Sequence, residues 1–136
     1  MILLAMVGGS ASAQTHSAQF SWTASVSSGV TGYNIYRAPC TGTVSGATCS
    51  AAGTFIKLTA SPVSGTSFTD SSAALVAGSK WDAYATSVCP TCNPGESAPS
   101  NHQAFAVPLD GQPQPPQNFL LALLARIWGW LKGLFV

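Results

Sequence analysis

The feature that most constrains this chain is the alternation of apolar and polar residues at residues 20–37, FSWTASVSSGVTGYNIYR. Phe20 and Trp22 alternate with polar residues, a Gly- and Ser-rich stretch follows, and the alternation resumes at Tyr33 and Ile35. A period of two residues is typical of a strand with one buried face, and the short polar stretch is typical of a turn. The sequence therefore predicts two antiparallel strands joined by a short loop.

The following residues, up to position 107, repeat this pattern of short strands and turns. Clusters of Gly, Pro, Ser and Asn separate the segments, and no amphipathic helical pattern interrupts them. We predict strands at about Ala18–Ala24, Gly32–Arg37, Thr54–Thr59, Ser67–Asp70, Lys80–Cys89 and His102–Val107. Strands of this length and spacing indicate an all-β sandwich in residues 14–107.

Residues 14–107 resemble a fibronectin type III domain, an immunoglobulin-like β-sandwich. The opening hairpin is similar to the family's B-to-C hairpin, in which a Trp of strand B packs against a Tyr of strand C. KLTASPVSGTSFTD resembles the C′-to-E passage, and Leu75, Gly78 and Trp81 resemble the Leu-x-x-Gly-x-x-Tyr turn into strand F, with Trp in place of Tyr. The resemblance implies a core that contains Phe20, Trp22, Tyr33, Ile35, Phe68, Leu75 and Trp81. It leaves the function open, because unrelated functions share such folds.

The resemblance is incomplete at strand A. Only the segment Gln14–Ser17 would precede strand B after cleavage of an export signal, and this segment is too short for a full strand A and its turn. Strand B would then expose unpaired backbone N–H and C=O groups, which accept an added strand. Either a very short strand A or solvent covers this edge, or a neighbouring subunit or partner supplies the missing strand.

The first 13 residues are typical of an export signal. The apolar run Ile2–Val7 is followed by small residues and by the A-x-A pattern Ala11-Ser12-Ala13, which favours cleavage after Ala13. The alternative is an ordinary buried strand at Ile2–Val7. Together with a neutral, hydroxyl-rich body and no N-x-Ser/Thr acceptor, the signal favours a bacterial protein that is secreted or held at the cell surface.

After the predicted domain come a Pro/Gln-rich spacer at residues 108–118 and an apolar segment at residues 119–136, which predicts a helix. Its candidate membrane or assembly residues are Leu120, Leu124, Arg126, Ile127, Trp128, Trp130, Leu131 and Lys132. Three interpretations stay open: an interfacial or short membrane anchor, a helix for self-association, and the start of a further fibronectin type III repeat.

The four cysteines are spaced as Cys40-x8-Cys49 and Cys89-x2-Cys92. Four cysteines can hold a metal ion, and a C-x-x-C pair can be a redox motif. In a fibronectin type III fold the two loops lie at opposite ends of the sandwich. The resemblance therefore implies two local disulfides, Cys40–Cys49 and Cys89–Cys92, in an oxidising compartment.

The remaining polar residues predict neither catalysis nor a cofactor. Charged residues make up 7% of the chain and the net charge is +1, so no field attracts nucleic acid. We expect His16 and His102 to be solvated and Asp82 to be exposed on its strand. Asp70 is expected to tighten a turn, in a different loop from Glu96, so the two carboxylates do not form an acid/base pair.

These observations predict an exported, non-catalytic module that binds a protein or glycan at the cell surface, tethered by its apolar tail. Binding would use the loops Ser25–Gly32 and Cys89–Ser100 or the edge of strand B. The first alternative is a subunit of an extracellular filament or sheath, joined by strand addition or by helix packing. Two others are an accessory module of a larger carbohydrate-active or adhesive protein and a thiol–disulfide enzyme that uses Cys89 and Cys92.

Overall fold

The computed structural model describes residues 14–111 and a strand at residues 118–121. These described residues form nine strands and contain no helix. The all-β class predicted from the sequence is confirmed for this part of the chain. The predicted export signal at residues 1–13 lies outside it, as do most of the spacer and residues 122–136 of the tail.

The strands, numbered β1 to β9 in chain order, are short and are separated by turns and loops. Their bounds are Ala18–Trp22 (β1), Gly32–Pro39 (β2), Val44–Ser45 (β3), Thr48–Cys49 (β4), Ile56–Lys57 (β5), Ser67–Asp70 (β6), Lys80–Val88 (β7), Gln103–Ala106 (β8) and Asn118–Leu121 (β9). Each of the six predicted segments overlaps one of these strands. The sequence predicted neither the β3–β4 hairpin nor β9.

Two sheets make up the framework. β6, β1 and β9 form a three-stranded sheet, and β5, β2, β7 and β8 form a four-stranded sheet. The central β2–β7 pair is antiparallel and runs from Gly32 opposite Val88 to Pro39 opposite Trp81. This register places the loop before β2 beside the loop after β7, at one end of the four-stranded sheet.

The core lies between the two sheets, because inward-facing side chains of both contribute to one apolar cluster. Phe20 on β1 contacts Phe105 on β8 edge to face, with ring centroids 5.8 Å apart, and Trp22 contacts Tyr33 with centroids 5.3 Å apart. Of the residues predicted for the core, Phe20, Trp22, Tyr33, Ile35 and Leu75 are buried, and Phe68 and Trp81 are partly buried against them. Full burial of one such large apolar side chain stabilises a fold by about 1.5–3 kcal/mol.

A buried ion pair joins the two sheets. The guanidinium of Arg37 on β2 donates to the carboxylate of Asp70 on β6, and the two residues are 2% and 4% exposed. Arg37 Nη1 also donates to Ser72 Oγ at 2.9 Å, and the guanidinium carbon lies 4.2 Å from the centre of the Trp81 ring. Asp70 Oδ1 accepts the backbone N–H of Ser72 at 3.0 Å, which is the turn-tightening contact expected of it. The carboxylate therefore both closes a turn and balances a buried charge.

The β3–β4 hairpin is tied to the framework by a disulfide and by a backbone hydrogen bond. Cys40, which follows β2, is bonded to Cys49 in β4, and their Cα atoms are 5.9 Å apart. The N–H of Ala104 on β8 donates to the carbonyl of Ala47 at the hairpin turn, at 2.8 Å. Closing a loop of this length with a disulfide stabilises a fold by about 2–3 kcal/mol in the chain-entropy model.

The expectation of an open edge at strand B, which is β1, is wrong. β9 pairs with β1 in parallel, from Gln19 opposite Asn118 to Trp22 opposite Leu121. β1 therefore lies between β6 and β9 and has a hydrogen-bonded neighbour on each side. The C-terminal part of the same chain thus pairs with the edge of β1 that faces away from β6 and satisfies backbone groups that are costly to leave unpaired.

The prediction of a helix over residues 119–136 is wrong at its start, because residues 118–121 form β9. A short apolar run such as Phe119–Leu121 fits a buried strand and a helix equally well, so periodicity does not distinguish them. The rest of the predicted helix lies outside the described residues. Within residues 14–111 and 118–121, no helix is long and apolar enough to cross a membrane.

We expect Asp70→Asn to lower the free energy of unfolding by about 3–5 kcal/mol, because it leaves the buried Arg37 charge without a counter-charge. The amide has nearly the same shape and keeps an acceptor for the Ser72 N–H, so the loss reports the charge. Urea denaturation followed by tryptophan fluorescence measures the change. The double variant Arg37→Met/Asp70→Leu should recover most of the lost stability, because it removes both charges together.

The control for this experiment is Asp110→Asn, which alters a carboxylate whose side chain is 51% exposed. We expect this variant to change the free energy of unfolding by less than about 1 kcal/mol, because solvent screens the Asp110 carboxylate. Equal losses for Asp70→Asn and Asp110→Asn would contradict the assigned role of the buried pair.

Candidate binding face

The two loops predicted to bind a partner lie together at one end of the four-stranded sheet. Gly29 has a φ of +88°, and a Cβ atom at this position would lie 3.0 Å from Sγ of Cys89. Thr31 N–H donates to the carbonyl of Val88 at 2.8 Å. Cys89 is in turn bonded to Cys92, with Cα atoms 5.3 Å apart. A close approach and a positive φ that suit only glycine therefore hold the first loop against the disulfide of the second.

The two disulfides lie at opposite ends of the β2–β7 pair. Cys40 N–H donates to the carbonyl of Lys80 at 2.9 Å, at the end where β7 begins. Cys89 follows the other end of β7, where Val88 lies opposite Gly32. The cysteines pair as the resemblance implies, and their four sulfurs do not converge on one site.

The outer surface of the four-stranded sheet carries four rings, Tyr36, Phe55, Tyr84 and His102, which we call the aromatic face. Tyr36 and Tyr84 lie opposite each other in the β2–β7 register, and their rings stack with centroids 5.0 Å apart. The Phe55 ring lies 4.7 Å from Tyr84 and 5.4 Å from His102. The His102 side chain is 45% exposed and the other three residues are half-buried, so the rings present part of their surface to solvent.

A carboxylate lies at the Tyr36 end of the aromatic face. Oε1 of Glu96 accepts hydrogen bonds from Tyr36 OH at 2.7 Å, from Thr86 Oγ1 at 2.5 Å and from Asn34 Nδ2 at 3.2 Å. Asn34 and Tyr36 alternate along β2 and Thr86 lies on β7, so period-two alternation brings all three donors to the outer surface. The sheet itself therefore orients the carboxylate.

Backbone pairing beside β7 sets the position of Glu96. The residue forms an isolated bridge with Val88, and Ser97 N–H donates to the carbonyl of Ser87 at 2.9 Å. Ser97 Oγ accepts the N–H of Ser87 at 2.9 Å. Oε2 of Glu96 has no hydrogen-bond partner within residues 14–111, and the residue is half-buried. One oxygen thus holds the side chain in place and the other is available to a ligand.

The contacts of the aromatic face shift the pKa values of its groups. Burial acts to raise the pKa of Glu96, but the hydrogen bonds from Thr86, Tyr36 and Asn34 and the charge of Lys57 outweigh it, so the pKa is lower than 4.5. Burial and then the hydrogen bond to Glu96 raise the pKa of Tyr36 to about 12. Burial and the Glu96 charge also raise the pKa of Tyr84. At neutral pH the face therefore presents an oriented carboxylate beside two uncharged phenols.

His16 is not the solvated side chain predicted from the sequence, whereas the side chain of His102 is exposed. His16 is 7% exposed, and its Nε2 lies 3.0 Å from Oδ1 of Asp110. Nδ1 of His102 lies 2.8 Å from Oδ2 of Asp82, which is 4% exposed instead of lying in solvent on its strand. The β3–β4 hairpin contacts this part of β7 and β8, and a hairpin of two-residue strands leaves no alternation in the sequence to predict it.

The aromatic face contains residues that the sequence analysis did not single out. Tyr36 and Tyr84 have a signal in the sequence, because each lies out of phase with the inward residues of its own strand. Phe55, Glu96 and His102 have none, because they precede or follow strands and reach the face through tertiary contacts. The alternation that identifies the inner surface of the sheet therefore also predicts the outward position of two of these five residues.

Comparisons with protein-family models, with curated proteins and with solved structures found no match. Ring faces beside an oriented carboxylate suit a ligand that has an apolar face and a hydrogen-bond donor next to it.

We expect the stability contributed by Glu96 to depend on pH. Because its pKa is lowered in the folded chain, the contribution is complete above about pH 4.5 and is lost as the pH falls further. Glu96→Gln should lower the free energy of unfolding by about 1 kcal/mol at pH 7, since the acceptor loses its charge. Urea denaturation at pH 7 and at pH 3 measures both differences, and the difference should be smaller at pH 3 than at pH 7.

Tyr36→Phe is the matched variant for this measurement, because it removes one of the three donors and keeps the carboxylate. We expect it to reduce the pH dependence in part, whereas Glu96→Gln removes it. A constant difference between Glu96→Gln and the unchanged chain across this pH range would contradict the lowered pKa.

Proposed function

We propose that this chain is an exported, non-catalytic binding module, similar to a fibronectin type III domain, that binds a neutral glycan outside the cell through its aromatic face. Residues 122–136 attach the module to a membrane or to an assembly. The observation that carries the proposal is the placement of the Glu96 carboxylate at the end of a strip of half-exposed rings.

The scaffold part of the proposal is supported by the contacts of the opening hairpin. Its two strands, β1 and β2, lie in different sheets, and Trp22 packs against Tyr33 between them. This is the contact that the family resemblance implies. Two disulfides support an oxidising, extracytoplasmic environment, because such bonds persist mainly there.

The glycan part of the proposal rests on the chemistry of the aromatic face. A sugar ring has an apolar face of C–H groups that packs on an aromatic ring, and hydroxyl groups around its edge. Oε2 of Glu96 can accept such a hydroxyl in a charge-assisted hydrogen bond. The chain carries 5 basic and 4 acidic side chains, so its surface offers no strong field for a charged polymer.

The state of Glu96 supports binding over catalysis. Proton transfer in an enzyme needs a group whose pKa lies near the working pH. The hydrogen bonds at Oε1 lower the pKa of Glu96 from 4.5 and keep the side chain in one orientation. A fixed acceptor of this kind orients a ligand without exchanging a proton with it.

We expect Phe55→Ala to weaken glycan binding about tenfold or more, because loss of one stacked ring removes both apolar area and ring contact. The probes are soluble neutral polysaccharides of glucose, xylose, mannose and N-acetylglucosamine. Retardation of the protein in gels that contain each polysaccharide ranks the probes, and calorimetry on the best one gives the affinity.

The control is Leu109→Ala, which removes an apolar side chain that is 58% exposed and lies beside Gly78. We expect binding to be unchanged in this variant. The proposal fails if none of the polysaccharides retards the protein, or if Phe55→Ala and Leu109→Ala bind equally well. Binding of a protein in place of every polysaccharide would assign the face to the other class of partner.

A further inference from the structure

Three rings of the aromatic face belong to a row of side chains that crosses all four strands of the larger sheet. Lys57 on β5 lies opposite Tyr36 on β2, and Tyr36 lies opposite Tyr84 on β7. Extending the β7–β8 register by one residue places His102 opposite Tyr84, and their ring centroids are 5.2 Å apart. Residues opposite each other on neighbouring strands lie on the same side of a sheet. The row from Lys57 to His102 therefore crosses three strand spacings, about 14 Å.

The Lys57 end of the row carries two polar groups of opposite hydrogen-bonding character. Lys57 lies opposite Tyr36, and the Tyr36 hydroxyl donates to Glu96 at 2.7 Å, so both charged side chains lie near this end. The Glu96 carboxylate only accepts hydrogen bonds, whereas the Lys57 ammonium group only donates them. A hydroxyl does both, so two adjacent hydroxyls of one sugar satisfy both groups.

His102, at the other end of the row, is held through one ring nitrogen. Its Nδ1 lies 2.8 Å from Oδ2 of Asp82, and because a carboxylate accepts the bond, Nδ1 carries the proton. Asp82 is 4% exposed, and within the described residues its carboxylate has no other hydrogen-bond partner. In the neutral ring Nε2 is then an acceptor, and it has no partner in residues 14–111 or 118–121. The side chain is 45% exposed, which leaves Nε2 to a ligand on the face.

The row is longer than one sugar unit. A six-membered ring with bonds of about 1.5 Å is about 3 Å across, and a hydroxyl on each side extends it to about 6 Å. One unit therefore covers little more than one strand spacing, whereas the row covers three. Lys57 and His102 are both exposed, so a chain of linked sugars that follows the row can continue past them.

We propose that the aromatic face binds an internal segment of a neutral polysaccharide, about three linked sugar units that cross the strands from Lys57 to His102. His102, positioned by Asp82, hydrogen-bonds through Nε2 to the unit furthest from Glu96. The inference rests on the glycan binding proposed above and adds the length and direction of the ligand and its second polar contact. A face that captures a single terminal sugar needs its polar groups around one ring, whereas these lie at the two ends of the row.

The first test measures how the affinity of the full chain depends on ligand length. Oligosaccharides of one to six units are prepared from the polysaccharide that binds best, and calorimetry gives the Kd of each. We expect the affinity to increase at least about tenfold from one unit to three and less than about fivefold from three to six. A hexamer whose terminal ring is opened by borohydride reduction should bind as well as the unmodified hexamer, because the face does not need a chain end.

The outcomes of this test separate the inference from the proposed function. A single unit that binds as tightly as six, or loss of binding on reduction of the chain end, would overturn the inference and leave glycan binding in place. Absence of binding to every polysaccharide and oligosaccharide would overturn both.

The second test is His102→Phe, which keeps a ring at the end of the row and removes Nε2. We expect its affinity for three units to fall about five- to tenfold, to the value for two units, because the third unit loses its hydrogen bond. The affinity for two units should not change. The double variant His102→Phe/Asp82→Asn is measured in the same way, since it also removes the buried charge that the single variant leaves without a partner.

Leu109→Ala is again the control, and we expect it to bind every length as the unchanged chain does. Unchanged affinity of both His102 variants for three units would overturn the role of Nε2. An equal loss at every length would overturn its placement at the far end of the ligand, because a general disturbance of the face does not depend on ligand length.

Discussion

A buried ion pair between Arg37 and Asp70 links the two sheets of the described chain. An apolar core holds two sheets together without specifying how they face each other, whereas a buried charge must meet its counter-charge at one place. Arg37 faces inward from β2 to reach Asp70 on β6. Period-two alternation then turns its neighbour Tyr36 outward, so the contact that aligns the sheets also presents the ring nearest Glu96. The core and the candidate site therefore lie on opposite faces of β2.

Much of this fold can be predicted from the sequence, because a strand with one buried face shows alternating apolar and polar residues. Phe20, Trp22, Tyr33 and Ile35 alternate with polar residues, and each of the strands predicted from such runs is present. The β3–β4 hairpin shows no such alternation, since each of its strands is two residues long. β9 was missed for a different reason. Its apolar residues fit a helix and a strand equally well, and the uncovered edge of β1 decides between them.

The candidate site could be predicted only in part. Tyr36 and Tyr84 lie out of phase with the core residues of their strands, so the sequence contains their outward placement. Glu96 reaches them through a loop that returns beside β7, and His102 pairs with a buried Asp82. These contacts join residues that are far apart along the chain, and no periodicity encodes a loop path. The local pattern therefore predicts the outward position of Tyr36 and Tyr84, and tertiary contacts bring Glu96 and His102 to them.

The disulfides at the two ends of the β2–β7 pair bear on what happens when a protease cuts the chain. Exposed loops are the usual points of cleavage. A cut between Cys40 and Cys49, or between Cys89 and Cys92, leaves the two fragments covalently joined. The eight residue pairs of the β2–β7 ladder then stay intact. A nicked molecule thus retains the strand pair that carries the aromatic face.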